Sequence, residues 1–485
     1  MRPHIDILTS MKSFDLVVIG AGSGGLTAAT YAKKLGASVA MIEKRDVLGG
    51  ECLQNGCVPS KALIHASKRF YQSDSSSKFG VNGKPTLDFE ALNKSIVRAI
   101  RRIEDRDEND EHFEKLGVKV YHGEAKFIDG NTVDVNGEKV HGRRFIIATG
   151  SRPRIVDVPG QEHLDVYSNE TIFNIKEKPE SMAILGGGVI GCEIGCAYNF
   201  LDTDITIFER YDHLSLRVDP EIARFVTSKF TERGIDVVTN SNLEKITKKK
   251  GDKMATLHYK KGEQSLTSKA DSLFMAIGRI PNTDLDLENA GIEYTSRGIT
   301  INGYGQTSRK NIWAVGDVTG MAGFTHVAGE QAYYAVVHAM FGLRHKVSLH
   351  ALPFVIFTRP EVAHVGKTEK DLKAEGIPHI VRAMNYSEID RAMIEDKPGM
   401  IKVMIDKRDR ILGATVAGSQ ATEQIGTFVL AMSNRLTMRD IAKTILPYPT
   451  YAMAPKTLAA DHITEKIMNN KVSEHAMRIF RQLRR

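Results

Sequence analysis

Cys52 and Cys57 are separated by Leu53-Gln54-Asn55-Gly56 and followed at once by Val58-Pro59-Ser60-Lys61. Two thiols at this spacing can close a disulfide, hold half of a metal site or simply pack in a core. A zinc site of the usual kind needs four ligands. The chain has 4 cysteines, and the other two, Cys192 and Cys196, lie far along the sequence. A disulfide that opens and closes is therefore the better reading, and no metal site is expected. Cys192 and Cys196, four apart, would share one helix face as small buried packing residues.

The elements around this pair are those of a nucleotide-binding fold. Phe14 to Ile19 is an apolar run of strand length, and Gly20-Ala21-Gly22-Ser23-Gly24-Gly25 follows it. A small-residue helix then leads to a second strand, Ser38 to Glu43. Gly20, Gly22 and Gly25 stand in G-x-G-x-x-G order, with Glu43 about 20 residues on. The layout recurs: Met182 to Leu185 enters Gly186-Gly187-Gly188-Val189-Ile190-Gly191, and a strand from Ile205 to Phe208 ends at Glu209. In each copy the first glycine permits the tight turn, the second lets backbone approach a pyrophosphate, and the third allows close helix–strand packing. The helix N-terminus adds amide donors and a positive dipole end. Glu43 and Glu209 can each accept hydrogen bonds from a ribose. One such motif is weak evidence; two in the full strand–loop–helix–strand–acid context imply two dinucleotides.

Arg144-Phe145-Ile146-Ile147-Ala148-Thr149-Gly150 reads as a strand closing on a glycine turn, and so does the stretch from Ser272 to Asn282 through Gly278. Ile312 to Asp317 is a further strand capped by Gly-Asp. From about residue 351 the pattern changes to short alternating strands and amphipathic helices, as in Gly399 to Asp406, which predicts a separate α+β domain. The fold expected is α/β: two Rossmann-like dinucleotide domains and a C-terminal α+β domain. The boundaries are 1–152 with 283–350 for the first nucleotide, 153–282 for the second, and 351–485 for the last.

Together these segments resemble the flavin-dependent pyridine nucleotide–disulfide oxidoreductases over nearly the whole chain, most of all the dihydrolipoamide dehydrogenase and mercuric reductase branches. The resemblance rests on residues 49–61, on Ala148-Thr149-Gly150 and Gly316-Asp317, and on Pro360-Glu361-Val362-Ala363 and Arg410-Ile411-Leu412-Gly413-Ala414. It implies FAD on Gly20, Gly22, Gly25 and Glu43, with Thr149, Gly150 and Asp317 at further flavin contacts. It implies a nicotinamide cofactor on Gly186, Gly188, Gly191, Glu209 and Gly278. Cys57 would be the thiol beside the flavin and Cys52 the one facing substrate. Lys61 would lie near the flavin N5 and pair with Glu193, since a cation favours a reduced flavin and a dry lysine needs a carboxylate. It further implies a homodimer whose C-terminal domains complete each other's sites. NADH is expected over NADPH because Glu209 would repel a 2′-phosphate, although Arg210 and Arg217 keep NADPH open.

The chain departs from that pattern in one place. Disulfide reductases of the family carry a His-Pro…Glu segment near the C-terminus, and here Tyr448 and Met453 stand at those positions. Tyrosine titrates near ~10 and is a poor base at neutral pH. Dihydrolipoamide oxidation is therefore expected to be slow, and His462 lies too far along to substitute. The tail also lacks the cysteine pair of the mercuric reductases. The expectation is an enzyme that passes electrons from NADH through FAD to Cys52–Cys57 and on to a small disulfide or other thiol-reactive acceptor. Two alternatives are a diaphorase acting on quinones and a redox-responsive FAD/NADH-binding protein of low turnover. The net charge of +7 over 485 residues does not suggest nucleic acid. No apolar run reaches membrane-spanning length and the first ten residues do not resemble a signal peptide, so a cytoplasmic location is expected. The basic residues Arg478, Arg481, Arg484 and Arg485 are taken as a solvated helix end.

Overall fold

The computed structural model describes residues 13–74, 79–321 and 323–469; the initial segment and the tail arginines named above lie outside them. The fold is mixed α/β. The chain divides into two units, one of residues 1–185, 245–257 and 269–347, the other of residues 186–244, 258–268 and 348–485.

The first unit is built on a five-stranded parallel sheet in the order Ile312–Ala314, Phe145–Ile147, Leu16–Ile19, Val39–Glu43, Val118–His122. Its three central strands are buried along their whole length, as expected of parallel strands covered on both faces. Helices Ser23–Lys34 and Thr325–Phe341 contribute to the apolar cluster on one face. The other face packs against residues such as Phe127, Val133 and Leu287. Three further parallel strands in this unit, Asp165–Tyr167, Ser272–Met275 and Ser181–Leu185, pair in that order.

One expected strand is divided. The apolar run 14–19 predicts a single strand, but Ser13–Phe14 pairs with Glu138–Gly142 in a four-stranded sheet while Leu16–Ile19 joins the central one. The break falls at Asp15, whose backbone N–H donates to the Ser38 carbonyl at 3.0 Å and whose carboxylate accepts from the Ser38 hydroxyl at 2.7 Å. A carboxylate that finds local partners ends a ladder that the apolar run alone would continue.

In the second unit Asp204–Phe208 and Asp236–Val238 pair in parallel, beside helix Val189–Asn199. Residues 348–485 contain a five-stranded antiparallel sheet, Pro353–Ile356, Glu361–Gly366, Ile411–Gly418, Met400–Ile405, Ile380–Asn385. Its apolar face is covered by helices Ala421–Ser433 and Met453–Met468.

An ion cluster holds this unit together. Lys402, 3% exposed, places its ammonium 2.9 Å from Asp219 and 2.6 Å from Glu369, and also contacts Glu221. Asp219 additionally accepts from the backbone of Glu369 and Lys370 at 3.2 and 3.1 Å. Burial alone would lower the lysine's pKa, but the three carboxylates reverse this and hold it charged. These carboxylates lie close enough to take a cation, and the lysine is that cation.

Hydrogen bonds from Lys373 and Lys402 pull the Glu369 carboxyl down to about 2 from an ordinary 4.5. A depressed carboxylate adds stability above its unfolded value that disappears as pH falls through the folded one. Between about pH 5 and pH 3 the wild type should therefore lose more stability in denaturant titrations than Glu369→Gln. Equal losses in the two proteins would exclude this group as an acid-sensitive support.

Candidate active site

The first glycine loop has little room for side chains. Gly20 has φ +98°, and a β-carbon there would lie 2.5 Å from the Ala148 carbonyl oxygen; one on Gly25 would lie 1.8 Å from the Gly20 oxygen. Gly22, which caps helix Ser23–Lys34, is different. Its φ of −80° suits any residue, and an added β-carbon would meet only the Gly50 Cα at 3.8 Å. The first and third glycines serve chain packing, whereas the second leaves backbone open for a close approach. The second loop repeats the pattern, with Gly186 at φ +109° and nothing within 4 Å of a β-carbon on Gly188, the cap of helix Val189–Asn199, which contains Gly191.

Both acids turn back onto their own loops. Glu43 is buried at the end of its strand; Oε2 accepts from the Ala21 N–H at 2.7 Å and Oε1 from Arg45 N–H at 3.0 Å. Glu209 Oε2 accepts from Gly187 N–H at 3.0 Å and from the Ser215 hydroxyl at 2.9 Å, and Oε1 from Tyr211 N–H at 3.1 Å. A carboxylate offers about four acceptor positions, so each retains capacity for a ribose hydroxyl. The open second glycine, the fixed carboxylate and the helix start behind them fit a dinucleotide at both loops.

Thr149 and Gly150 are fastened to the end of the other glycine turn. The Thr149 hydroxyl donates to the Asn282 carbonyl at 2.8 Å, Asn282 Nδ2 donates to the Thr149 carbonyl at 2.9 Å, and Asn282 N–H donates to the Gly150 carbonyl at 3.0 Å. Gly278 takes φ +119° four residues earlier. Asp317, on the short 3-10 turn Gly316–Thr319, accepts from the Ser151 hydroxyl at 2.6 Å.

Arg279, which sequence reasoning passed over, joins these parts. Its Nε donates to Ser151 Oγ at 2.7 Å and Nη2 to the Ser151 carbonyl at 2.8 Å. Its guanidinium also lies 3.8 Å from Asp317 and 3.5 Å from Glu51, the residue before Cys52. The planar fork of an arginine can serve several acceptors at once, so one side chain links the Asp317 turn to the helix that carries Cys52.

Cys52 lies in helix Gly50–Gln54 and Cys57 opens helix Cys57–Asp74. The Cys57 sulfur is 3.3 Å from the Thr325 hydroxyl, at the start of the 17-residue helix Thr325–Phe341. A hydroxyl and a helix N-terminus both favour a thiolate. The Cys52 thiol is pushed well up, first by its hydrogen bond to Cys57 and then by burial, which places the two sulfurs in direct interaction. Cys57 is the more exposed of the two and Cys52 half-buried, so exposure in this chain does not itself assign Cys52 to substrate. Lys61 follows one helical turn after Cys57 and donates to Ser60 Oγ at 3.3 Å.

Glu193, in the second unit, is buried on helix Val189–Asn199 and accepts from Phe357 N–H at 2.9 Å. Cys192 and Cys196 on that helix are fully buried, and burial pushes both thiols up. They are protonated packing residues. Tyr448, 70% exposed, donates its hydroxyl to Asp390 Oδ2 at 2.8 Å. His462 is enclosed: Nδ1 accepts from Arg382 Nε at 3.1 Å and Nε2 lies 3.0 Å from Asp409 Oδ1. With both nitrogens engaged and 2% exposure, it is a structural residue. Among the described residues no helix is long and apolar enough to cross a membrane.

If the second glycine is open for a pyrophosphate, Gly22→Val should fold normally, judged by an unchanged melting profile of the flavin-free protein, yet retain little FAD. Full flavin content in the variant would place the pyrophosphate elsewhere.

The chain is similar to known proteins over most of its length. A mercuric reductase of Lysinibacillus sphaericus is 33% identical over 93% of this chain and 83% of its own, and a dihydrolipoyl dehydrogenase of Geobacillus stearothermophilus is 35% identical over 90% and 93%. The Cu(II) complex of the HOCl-induced flavoprotein disulfide reductase RclA from Escherichia coli superposes with a TM-score of 0.82 at 26% identity, over 93% of this chain and 99% of that one. Residues 352–459 match the dimerisation domain of the pyridine nucleotide-disulphide oxidoreductases, a family of FAD-dependent enzymes that use NAD(P)H. With residues 14–336 matching that family's pyridine nucleotide-disulphide oxidoreductase region, the chain belongs to the pyridine nucleotide-disulphide oxidoreductases.

Proposed function

We propose that the protein is a homodimeric NADH-dependent reductase of a small disulfide or other thiol-reactive acceptor, working through Cys52 and Cys57. The observation that carries this reading is the interacting thiol pair with Thr325 and a helix start beside Cys57. FAD, when bound, supplies the two-electron carrier between the nicotinamide and this pair. Gly20, Gly22, Gly25, Glu43, Thr149, Gly150 and Asp317 would hold it, with the Lys61 cation beside it. Gly186, Gly188, Gly191, Glu209 and Gly278 would hold the nicotinamide nucleotide.

The thiol chemistry then needs only the chain's own sulfurs. Cys52 attacks one sulfur of the acceptor as its proton passes to the neighbouring Cys57 thiolate, forming a mixed disulfide and releasing a thiolate that takes that proton from Cys57. Cys57 then attacks Cys52, which expels the second acceptor thiol and re-forms the Cys52–Cys57 disulfide. Two electrons pass from the dithiol to the acceptor. Thr325 stabilises the anionic form of Cys57 between these steps. No histidine stands at the position of Tyr448, and the hydrogen bond to Asp390 raises the phenol further above its ordinary value. The phenol therefore serves as a polar contact and takes no proton from a thiol.

This reading is tested by trapping thiols. In anaerobic holoenzyme, NADH should expose Cys52 and Cys57 to alkylation, identified by peptide mass spectrometry, and an added disulfide acceptor should abolish the labelling. Thiols labelled equally without NADH would leave the pair outside electron flow and favour the diaphorase alternative. NAD-linked dihydrolipoamide oxidation should fall about 10²–10⁴ below what a base-assisted site achieves.

Glu209 is fixed by three hydrogen bonds, and Arg210 is engaged with the Tyr211 hydroxyl at 3.0 Å. A fixed carboxylate repels a 2′-phosphate, and an engaged arginine is less free to attract one. NADH should therefore reduce the enzyme better than NADPH in stopped flow. A preference for NADPH of about tenfold, or ~1.4 kcal/mol, would show that Arg210 or Arg217 governs the choice.

A further inference from the structure

Helix Asp390–Ile394 and the residue after it bring a carboxylate to each tyrosine of the segment 447–452. Tyr451 donates to Glu395 Oε2 at 2.9 Å, but that tyrosine is 7% exposed and Glu395 also holds Arg391 at 2.5 Å, so the pair belongs to the packing. Tyr448 and Asp390 are both exposed and joined at 2.8 Å. Met393 and Ile394, on the same short helix, are also largely exposed, so this face presents apolar surface around one polar pair.

The hydrogen bond fixes the polarity of that pair. A phenol has one proton to donate, and here Asp390 receives it. The lone pairs of the Tyr448 oxygen are therefore left for an arriving group, with the Asp390 carboxylate behind them. Residues 388–397 strengthen the field: Glu388, Asp390, Glu395 and Asp396 stand against Arg391 and Lys397. Of the two cations, Arg391 is committed to Glu395. This is an acidic stretch in a chain whose net charge is +7.

We propose that Asp390, acting through Tyr448, sets the acceptor class: a small disulfide whose arms carry ammonium groups or other hydrogen-bond donors, in preference to one carrying carboxylates. The inference rests on the reading that Tyr448 lies at the acceptor end of the site, and deepens it by naming the acceptor. Asp390 is a positioning residue. It holds the phenol in its accepting orientation and adds a negative charge one hydrogen bond from the acceptor.

Steady-state reduction of cystamine, a dication, and of dithiodiglycolate, a dianion, by the holoenzyme with NADH tests this. In the wild type KM should be about three- to tenfold lower for cystamine at low salt, as expected for one charge acting near a protein surface. The ratio should shrink as salt is raised to about 0.5 M, with kcat little affected. Asp390→Asn should collapse the ratio through KM, and Asp390→Glu should retain it, which separates a charge effect from a folding defect. Tyr448→Phe should collapse the ratio as well, and the double variant should add nothing further. A wild type that reduces neither disulfide, or does so equally well as Cys52→Ser, overturns the underlying reading of the site. A wild type that reduces both through Cys52 with equal KM, or a ratio that survives Asp390→Asn, overturns the inference alone. A ratio that survives Tyr448→Phe overturns action through Tyr448.

Discussion

A buried carboxylate at the end of a strand accepts a hydrogen bond from the backbone of a glycine loop, and the nucleotide-binding geometry depends on that contact. Glu43 reaches Ala21 at 2.7 Å and Glu209 reaches Gly187 at 3.0 Å. Each bond fixes the loop between strand and helix, with its second glycine open and at an ordinary φ; in the first loop Gly20 and Gly25 are packed against backbone. The same anchor orients the carboxylate that would meet a ribose. A charged acceptor makes a stronger bond than a neutral one, which suits a loop whose glycines have no side chains to hold it.

From this anchor the site is assembled by polar side chains that reach between loops. Asn282 pins the Thr149–Gly150 turn through three hydrogen bonds. Arg279 connects Ser151, Asp317 and Glu51, and Glu51 precedes Cys52 in the chain. The four cysteines then separate by environment. Cys192 and Cys196 are enclosed and held as thiols by burial. Cys57 lies at one helix start with the Thr325 hydroxyl of another beside it, where an anion is favoured. The two thiol pairs of this chain, five and four residues apart, thus differ in access and in nearby dipoles.

Much of this was legible in the sequence, because the signals are local. The glycine loops, the acids about 20 residues on, and the C-x4-C pair each sit within one stretch of chain; each loop opens a helix and each acid bonds back to its loop. The change at residue 351 is likewise a change of period, and an antiparallel sheet follows it. What was not legible depends on groups brought together from afar. The break at Asp15 depends on Ser38. Thr325 meets Cys57 across 268 residues, and Arg279 meets Ser151 across 128. Tyr448 could be recognised as standing where the family has a histidine, but no spacing pointed to Asp390 as its partner. Nor could sequence show that His462 is enclosed between Arg382 and Asp409, which removes it as a substitute base.

The central claim is that electrons from the nicotinamide reach the Cys52–Cys57 disulfide, and counting them tests it most directly. Anaerobic titration of the oxidised, FAD-loaded protein with NADH should consume two equivalents per subunit, one for the flavin and one for the disulfide. Cys52→Ser should consume only one. A wild type that stops at a single equivalent would show that the thiol pair lies outside the path and would contradict the account.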